Sequence, residues 1–225
     1  MKFSWRNWSV LPAAMLLLGG VAAAQDQSSS GSQSSSQSGD AAAPAPAEKP
    51  KPTVAQRKEN QQDRIASGVK SGQLTAGETK NLENKEAAIN KETAADRAAN
   101  GGKLTAAEKK QVNRQQNQMS KQIYADKHNA NTAHYGDNKV GQRRENQQDR
   151  IAQGIKSGQL TAGETAKAEK QQQGINKKVA ADRKANGGKL NASEKQQINK
   201  KQNAASRNIY RKKHNQQTQP GTAPK

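Results

Sequence analysis

The sequence predicts an all-α protein: two tandem copies of a roughly three-helix repeat, packed as helical hairpins or coiled-coil-like, between a disordered N-terminal linker and a disordered C-terminal tail. Three observations predict it. VAQRKENQQDRIASGVKSGQLTAGET, starting at Val54, returns at Val140 as VGQRRENQQDRIAQGIKSGQLTAGET, 86 residues on and without a gap. A helix-start signature occurs twice in each copy. Gln, Lys, Glu, Ala and Arg, all good helix formers, fill the spaces between.

The first 24 residues form a separate object. Lys2 and Arg6 precede an apolar run from Val10 to Val21, and Ala22-Ala23-Ala24 supplies small residues before Gln25. This is the pattern of a secretory signal peptide cut near Ala24, with an apolar run short for a membrane span. Residues 25–53, rich in Ser, Gln and later Pro, read as a disordered linker. The first repeat occupies 54–139, the second 140–215, and 216–225 reads as a disordered tail. Helices are expected at about 54–69, 75–98 and 105–128, and again at about 140–155, 161–184 and 191–214.

The starts of four of these helices carry a capping box. Thr75 is followed by Glu78, Thr105 by Glu108, Thr161 by Glu164, and Asn191 by Glu194, each three residues on. The first residue of each pair accepts from the third helical amide, and the glutamate answers the amide of the cap. Leu74, Leu104, Leu160 and Leu190 stand just before these caps, but Thr79, Lys109, Thr165 and Lys195 are poor partners for a hydrophobic staple. Gly72, Gly102, Gly158 and Gly188, two places before each leucine, suit the turns.

The apolar faces are thin. Leu82 and Ile89 share one stripe, and Val112, Met119 and Ile123 another. The second copy is weaker, with Ala168 for Leu82, Ala205 for Met119 and Gly174 for Ala88. Such narrow stripes also offer themselves for self-association.

Composition narrows the function classes. Beyond Ala24, Leu, Ile, Val and Met number 19, and Tyr124, Tyr135 and Tyr210 are the only aromatics. A large desolvated reaction pocket is hard to build from this, and no nucleophile, paired-carboxylate or phosphate-loop pattern occurs, so no enzyme, cofactor or small-molecule substrate is indicated. The chain has no cysteine, which excludes disulfides and thiolate metal sites. GxLTxxE resembles the back half of an EF-hand loop. Counting back from Glu108, however, the early ligand positions hold Arg97, Ala99 and Gly101, so a degenerate calcium-responsive loop is a minor alternative and no metal ligand is assigned. His128 and His214 fall near helix C-termini, where positive character suits the dipole.

Charge is the strongest functional signal. Residues 54–139 carry 15 basic and 10 acidic residues, whereas 140–225 carry 19 basic and 6 acidic. Such a field attracts polyanions. Arg207, Arg211, Lys212 and Lys213, beside Tyr210, are the candidate polyanion contacts. Polyanion binding (anionic lipid, polysaccharide or nucleic acid) is thus the alternative to a structural role, and anionic envelope components are the partners it points to. No module for reading nucleic-acid bases occurs, and the aromatics are too few for a stacking platform.

RIASGVKSGQLTAGE and NGGKLTAAEKKQVNRQQNQMSKQIYADKHN resemble an uncharacterised family of small exported bacterial proteins with Gln- and Arg-rich SGxLTxxE helical repeats and a terminal IYxxKH. The likeness spans about 54–215. It implies an envelope or extracellular setting, and it supplies no activity, ligand or site. The sequence as a whole reads first as a periplasmic or secreted helical repeat protein with a structural, adhesive or binding role, and second as a polyanion-binding protein.

Overall fold

Capped starts and glycine turns break the chain into six helices: α1 Val54–Lys70, α2 Ala76–Ala99, α3 Ala106–Lys127, α4 Lys139–Lys156, α5 Ala162–Ala185 and α6 Ala192–Lys213. The computed structural model describes residues 51–220; the expected signal peptide, the linker through residue 50 and the last five residues lie outside the described residues.

The caps explain the boundaries. Thr75 Oγ1 accepts from Glu78 N at 3.3 Å, and Glu78 accepts in return from Thr75 N at 2.9 Å. Thr105 with Glu108, Thr161 with Glu164, and Asn191 with Glu194 close the same reciprocal pair. Each such cap stabilises its helix by about 1 kcal/mol. Thr53 with Gln56 makes a further capping box at α1, and Asn138 caps α4 through Gly141 N at 3.1 Å.

The leucines before the caps are anchors rather than weak staples. Leu74 and Leu160 are buried. Gly72 (φ +71) and Gly158 (φ +70) turn the chain so that Leu74 N donates to Gly68 O and Leu160 N to Gly154 O, both at 3.0 Å. The leucine side chains then lie where a Cβ on Gly68 or Gly154 would stand, 2.7 and 2.6 Å away. Glycine inside α1 and α4 is therefore a packing requirement that propensity alone would disfavour.

Each repeat is a trio in which the third helix, α3 or α6, packs on the other two, while α1 touches α2 only lightly. The trios are then joined by like meeting like. The most extensive contact runs between α2 and α5, and the next between α1 and α4. These are repeat-equivalent helices, so the repeats face each other as the two subunits of an isologous dimer do. The stripes Leu82 and Ile89, and Val112, Met119 and Ile123, are all buried within the chain. One apolar cluster joins them to Ile65, Val69, Ile151, Ile155 and Ile209 across the repeat boundary. A smaller cluster of Val140, Ile175, Val179, Ile198 and Ala205 serves repeat 2.

Glutamines do much of the remaining joining. Gln61 Nε2 donates to Gln116 O at 2.6 Å and Ser120 Oγ at 2.7 Å, and Gln116 Nε2 donates to Val54 O at 2.9 Å. Gln147 and Gln202 repeat the arrangement onto Gln202 O, Ser206 Oγ and Val140 O. Backbone carbonyls inside the bundle thereby gain partners that apolar side chains would not provide.

The segments after α3 and α6 also correspond. Ala133 N donates to Gly72 O, and Gln219 N donates to Gly158 O. Gln219, expected in a disordered tail, is buried and accepts from Ala162 N at 2.7 Å through its side chain. The tail is thus laid down as far as this docking point, because the first amide of α5, which has no acceptor within its own helix, is buried and finds one there. The corresponding segment of repeat 1 passes so close to α4 that a Cβ on Gly141 would collide with the carbonyls of Tyr135 and Gly136. That accounts for glycine where the first copy has Ala55.

Two measurements check this account. Gly154→Ala gains roughly 1 kcal/mol of helix propensity but displaces Leu160 at about 1–3 kcal/mol, so chemical denaturation should show a net loss. Gly174→Ala, exposed and with nothing within 4 Å of the new Cβ, should instead stabilise. In hydrogen exchange α6, with the smaller cluster beneath it, should open more readily than α3; better protection of α6 would refute the ranking.

Candidate anion clefts and a buried carboxylate seam

Two clefts sit at equivalent places in the two repeats. In repeat 1 the start of α1, the end of α2, the following turn and the first turns of α3 enclose about 580 Å³, lined by Thr53, Val54, Arg57, Arg97, Gly102, Lys103, Leu104, Lys109 and Asn113, with Lys51, Pro52 and Ala55 at the edge. In repeat 2 about 500 Å³ is lined by Asn138, Lys139, Val140, Arg183, Gly188, Lys189, Leu190, Lys195 and Asn199.

Local structure brings the cations together. Gly101 (φ +62) and Gly102 (φ +87) take left-handed conformations that other residues rarely adopt, and a Cβ on either would meet nothing within 4 Å. The backbone, not crowding, requires them. The turn they make places Arg97 at the end of α2 opposite Lys103 and Lys109. The side chains of Arg97, Lys103 and Lys109, and of Arg183, Lys189 and Lys195, hydrogen-bond to no protein group among the described residues. Among the described residues no carboxylate lines either cleft. Glu108 and Glu194, each next in sequence to a cleft lysine, are engaged in their caps: Glu108 accepts from Thr105 N at 2.8 Å and Asn100 Nδ2 at 2.9 Å, and Glu194 accepts from Asn191 N at 2.9 Å and Asn186 Nδ2 at 2.6 Å. Capping holds Glu108 below the usual carboxylate range, chiefly through the Thr105 amide. Each cleft is therefore a set of free cations over a small apolar floor, Val54 with Leu104 or Val140 with Leu190.

The clefts are better kept between the copies than parts of the core. Arg97/Arg183, Lys103/Lys189, Lys109/Lys195, Leu104/Leu190, Val54/Val140 and Asn113/Asn199 are identical pairs, whereas Leu82 faces Ala168 and Met119 faces Ala205. The change of Thr53 to Lys139 adds a cation.

The cations expected to contact polyanions lie elsewhere, on the last turns of α6. Arg207 and Arg211 flank exposed Tyr210 in a shallow depression, and Arg211 is held by Asn208. Arg211 and Lys212 border a second depression that also contains Glu164. Lys213 is half-buried with its stem against Gly154, and burial, then Arg150, lowers its ammonium pKa. Tyr124 stacks on His128 at 4.1 Å between ring centroids, and Tyr210 on His214 at 4.0 Å. The span resembling an EF-hand is not a loop: Arg97 and Ala99 belong to α2. Among the described residues no group of three or more acidic or histidine side chains is placed to hold a metal ion. Among them, too, no helix is long and apolar enough to cross a membrane.

The second feature lies inside, on the faces joining the repeats. Glu83 of α2 and its equivalent Glu169 of α5 are both 0 % exposed, as is Glu86. Gln62 Nε2 donates to Glu83 at 3.3 Å, and Gln148 Nε2 to Glu169 at 2.9 Å. No cation lies within salt-bridge range of these carboxyls among the described residues. Burial pushes Glu83 well above the usual carboxylate range, with Glu86 and Glu169 adding repulsion. Burial raises Glu86 to about 7 against the pull of Lys58, and Glu169 to about 8 against the Gln148 bond. Lys58 is itself buried, donates to Pro220 O at 2.8 Å, and is lowered by burial. Its equivalent Arg144 lies 5.2 Å over the Tyr135 ring.

Sequence reasoning did not reach these carboxyls. Thr79, Leu82, Glu83, Glu86, Ile89 and Thr93 all lie on the buried face of α2. The spacing of Glu83 and Glu86 from Leu82 and Ile89 was the available signal. Comparison with family models, curated proteins and solved structures finds no match for this chain.

Proposed function

We propose that this chain is a non-enzymatic binding protein of the bacterial envelope or extracellular space, which holds anionic groups of an envelope polyanion in its two clefts. One observation carries the reading: the same unpartnered cations surround equivalent clefts in both repeats, unopposed by any lining carboxylate. A guanidinium and two ammonium groups converging without internal partners leave uncompensated positive charge, and an anion relieves it. The leader-like segment 1–24 supports the setting. The patch of Arg207, Arg211, Lys212 and Lys213 adds long-range attraction outside the clefts. Two sites on one chain also raise avidity for a repeating ligand that reaches both.

Retention on immobilised heparin or polyphosphate across a salt series tests the reading. Retention should be strong at low salt and fall steeply as salt rises. Lys103→Glu, Lys109→Glu, Lys189→Glu and Lys195→Glu together should weaken it by roughly tenfold or more, with circular dichroism unchanged. Arg207→Glu with Arg211→Glu should have a smaller effect. Absence of retention at low salt, or a cleft variant that binds like the parent, would overturn the assignment.

A further inference from the structure

We propose that the two repeats are joined by a proton-held seam: Glu83, Glu169 and Glu86 carry their protons in the folded chain, and losing them loosens α2 from α5. The inference is independent of what the clefts bind.

The geometry of donors and acceptors carries it. Each Glu83 and Glu169 side chain has one oxygen served by a glutamine amide and one with no partner, and neither oxygen of Glu86 has a partner. Gln62 Oε1 and Gln172 Oε1 are unpartnered beside them. Across α1, α2 and α5 every unpartnered buried side-chain atom except the Thr165 hydroxyl is an acceptor oxygen. A buried region with this imbalance is short of hydrogens, and each unmet acceptor is costly there. Beside the single Thr165 hydroxyl, the carboxyl groups are what can turn from acceptor to donor there, by taking up a proton. Three such protons supply three donors and remove the repulsion between carboxyls on facing helices. A metal ion would meet the same need, but the acidic side chains are not grouped to hold one among the described residues.

The surroundings agree from every side. α1 presents Gln62 and Lys58, and Lys58 Nζ is turned to Pro220 O. α4 presents Gln148 and Arg144, the latter over Tyr135. Tyr135, Glu145 and Asp149 add no positive charge. α3 reaches α2 through Gln111 and Gln115, both held by Glu92. α5 contributes Gln172, whose amide donates to Gln147 Oε1 at 3.0 Å. Among the described residues Lys58 is the one cation that favours ionisation, and it acts on Glu86 beside the Asn90 amide; Gln62 and Gln148 pull the same way on Glu83 and Glu169, and burial outweighs them all.

The direction of the pH effect follows. The folded chain holds these protons more tightly than the unfolded chain, whose glutamates titrate near 4.5. The stabilisation is complete below that value and is lost as pH rises through the folded values, about 7 for Glu86 and about 8 for Glu169. Thermal melts of the whole chain between pH 5 and pH 9 should therefore fall by at least about 5 °C. In Glu83→Gln with Glu169→Gln, neutral amides replace the acids and most of this fall should vanish. Infrared difference spectra at pH 6 should show a protonated-carboxyl band in the parent that disappears on alkaline titration, a readout that survives even if the variant folds poorly. A pH-independent melt of the parent, no such band, or stabilisation by added divalent cations in place of protons would each overturn the seam.

Discussion

Burying large polar helix faces against their own copies is the constraint on which the rest depends. α2 meets α5 and α1 meets α4, so every residue on those faces is confronted by its repeat-equivalent neighbourhood. Thin apolar stripes do not fill such an interface alone. Two copies of the same stripe, set face to face, bring Ile65, Val69, Ile151 and Ile155 into one cluster that neither repeat would complete. Stability therefore belongs to the pair of repeats, and the apolar deficit is shared between them.

The same arrangement exacts a polar interior. Helix faces with few large apolar residues bury glutamines and glutamates, and low dielectric makes each of those groups consequential. Gln61 and Gln147 resolve it by donating to carbonyls and hydroxyls of the third helix. Glu83 and Glu169 have no comparable donor for their second oxygen. A like pair facing across a dyad multiplies whatever is placed on it: apolar residues reinforce one another, and carboxyls repel unless protonated.

This division decides what was legible in the sequence. Helix starts at Thr75, Thr105, Thr161 and Asn191 are local chemistry, written within four residues, and the observed helices begin where those residues place them. The repeat is likewise written in one dimension. Which faces meet is not, because Glu83 and Gln62 read as ordinary helix formers until α2 is known to lie on α5. The anchoring of Leu74 over Gly68 was missed for the same reason: the staple rule looks forward to Thr79, while the actual partner lies six residues back. Nothing in one dimension joins Arg97, Lys103 and Lys109, because only the Gly101–Gly102 turn folds them into one cleft.

The two clefts, though built alike, do not rest on the same ground. Behind Arg97 lies buried Lys58, which feels both Arg97 and the Glu86 carboxyl. Behind Arg183 lies Arg144, with Gln172 where repeat 1 has Glu86. Ionisation of Glu86 would therefore place a negative charge behind the first cleft and none behind the second. At the rim the second cleft has Lys139 where the first has Thr53, and the first has Lys51 where the second copy has Asp137. Duplication supplied one cleft geometry twice, and substitution then changed its surroundings: Gln172 stands for Glu86 behind the second cleft, while Lys51 and Arg57 line the first alone. Divergence of the core at Ala168 and Ala205 was compatible with this because the cleft is made by caps, turns and exposed cations, whose geometry is set locally and does not depend on how tightly the stripe beneath is packed.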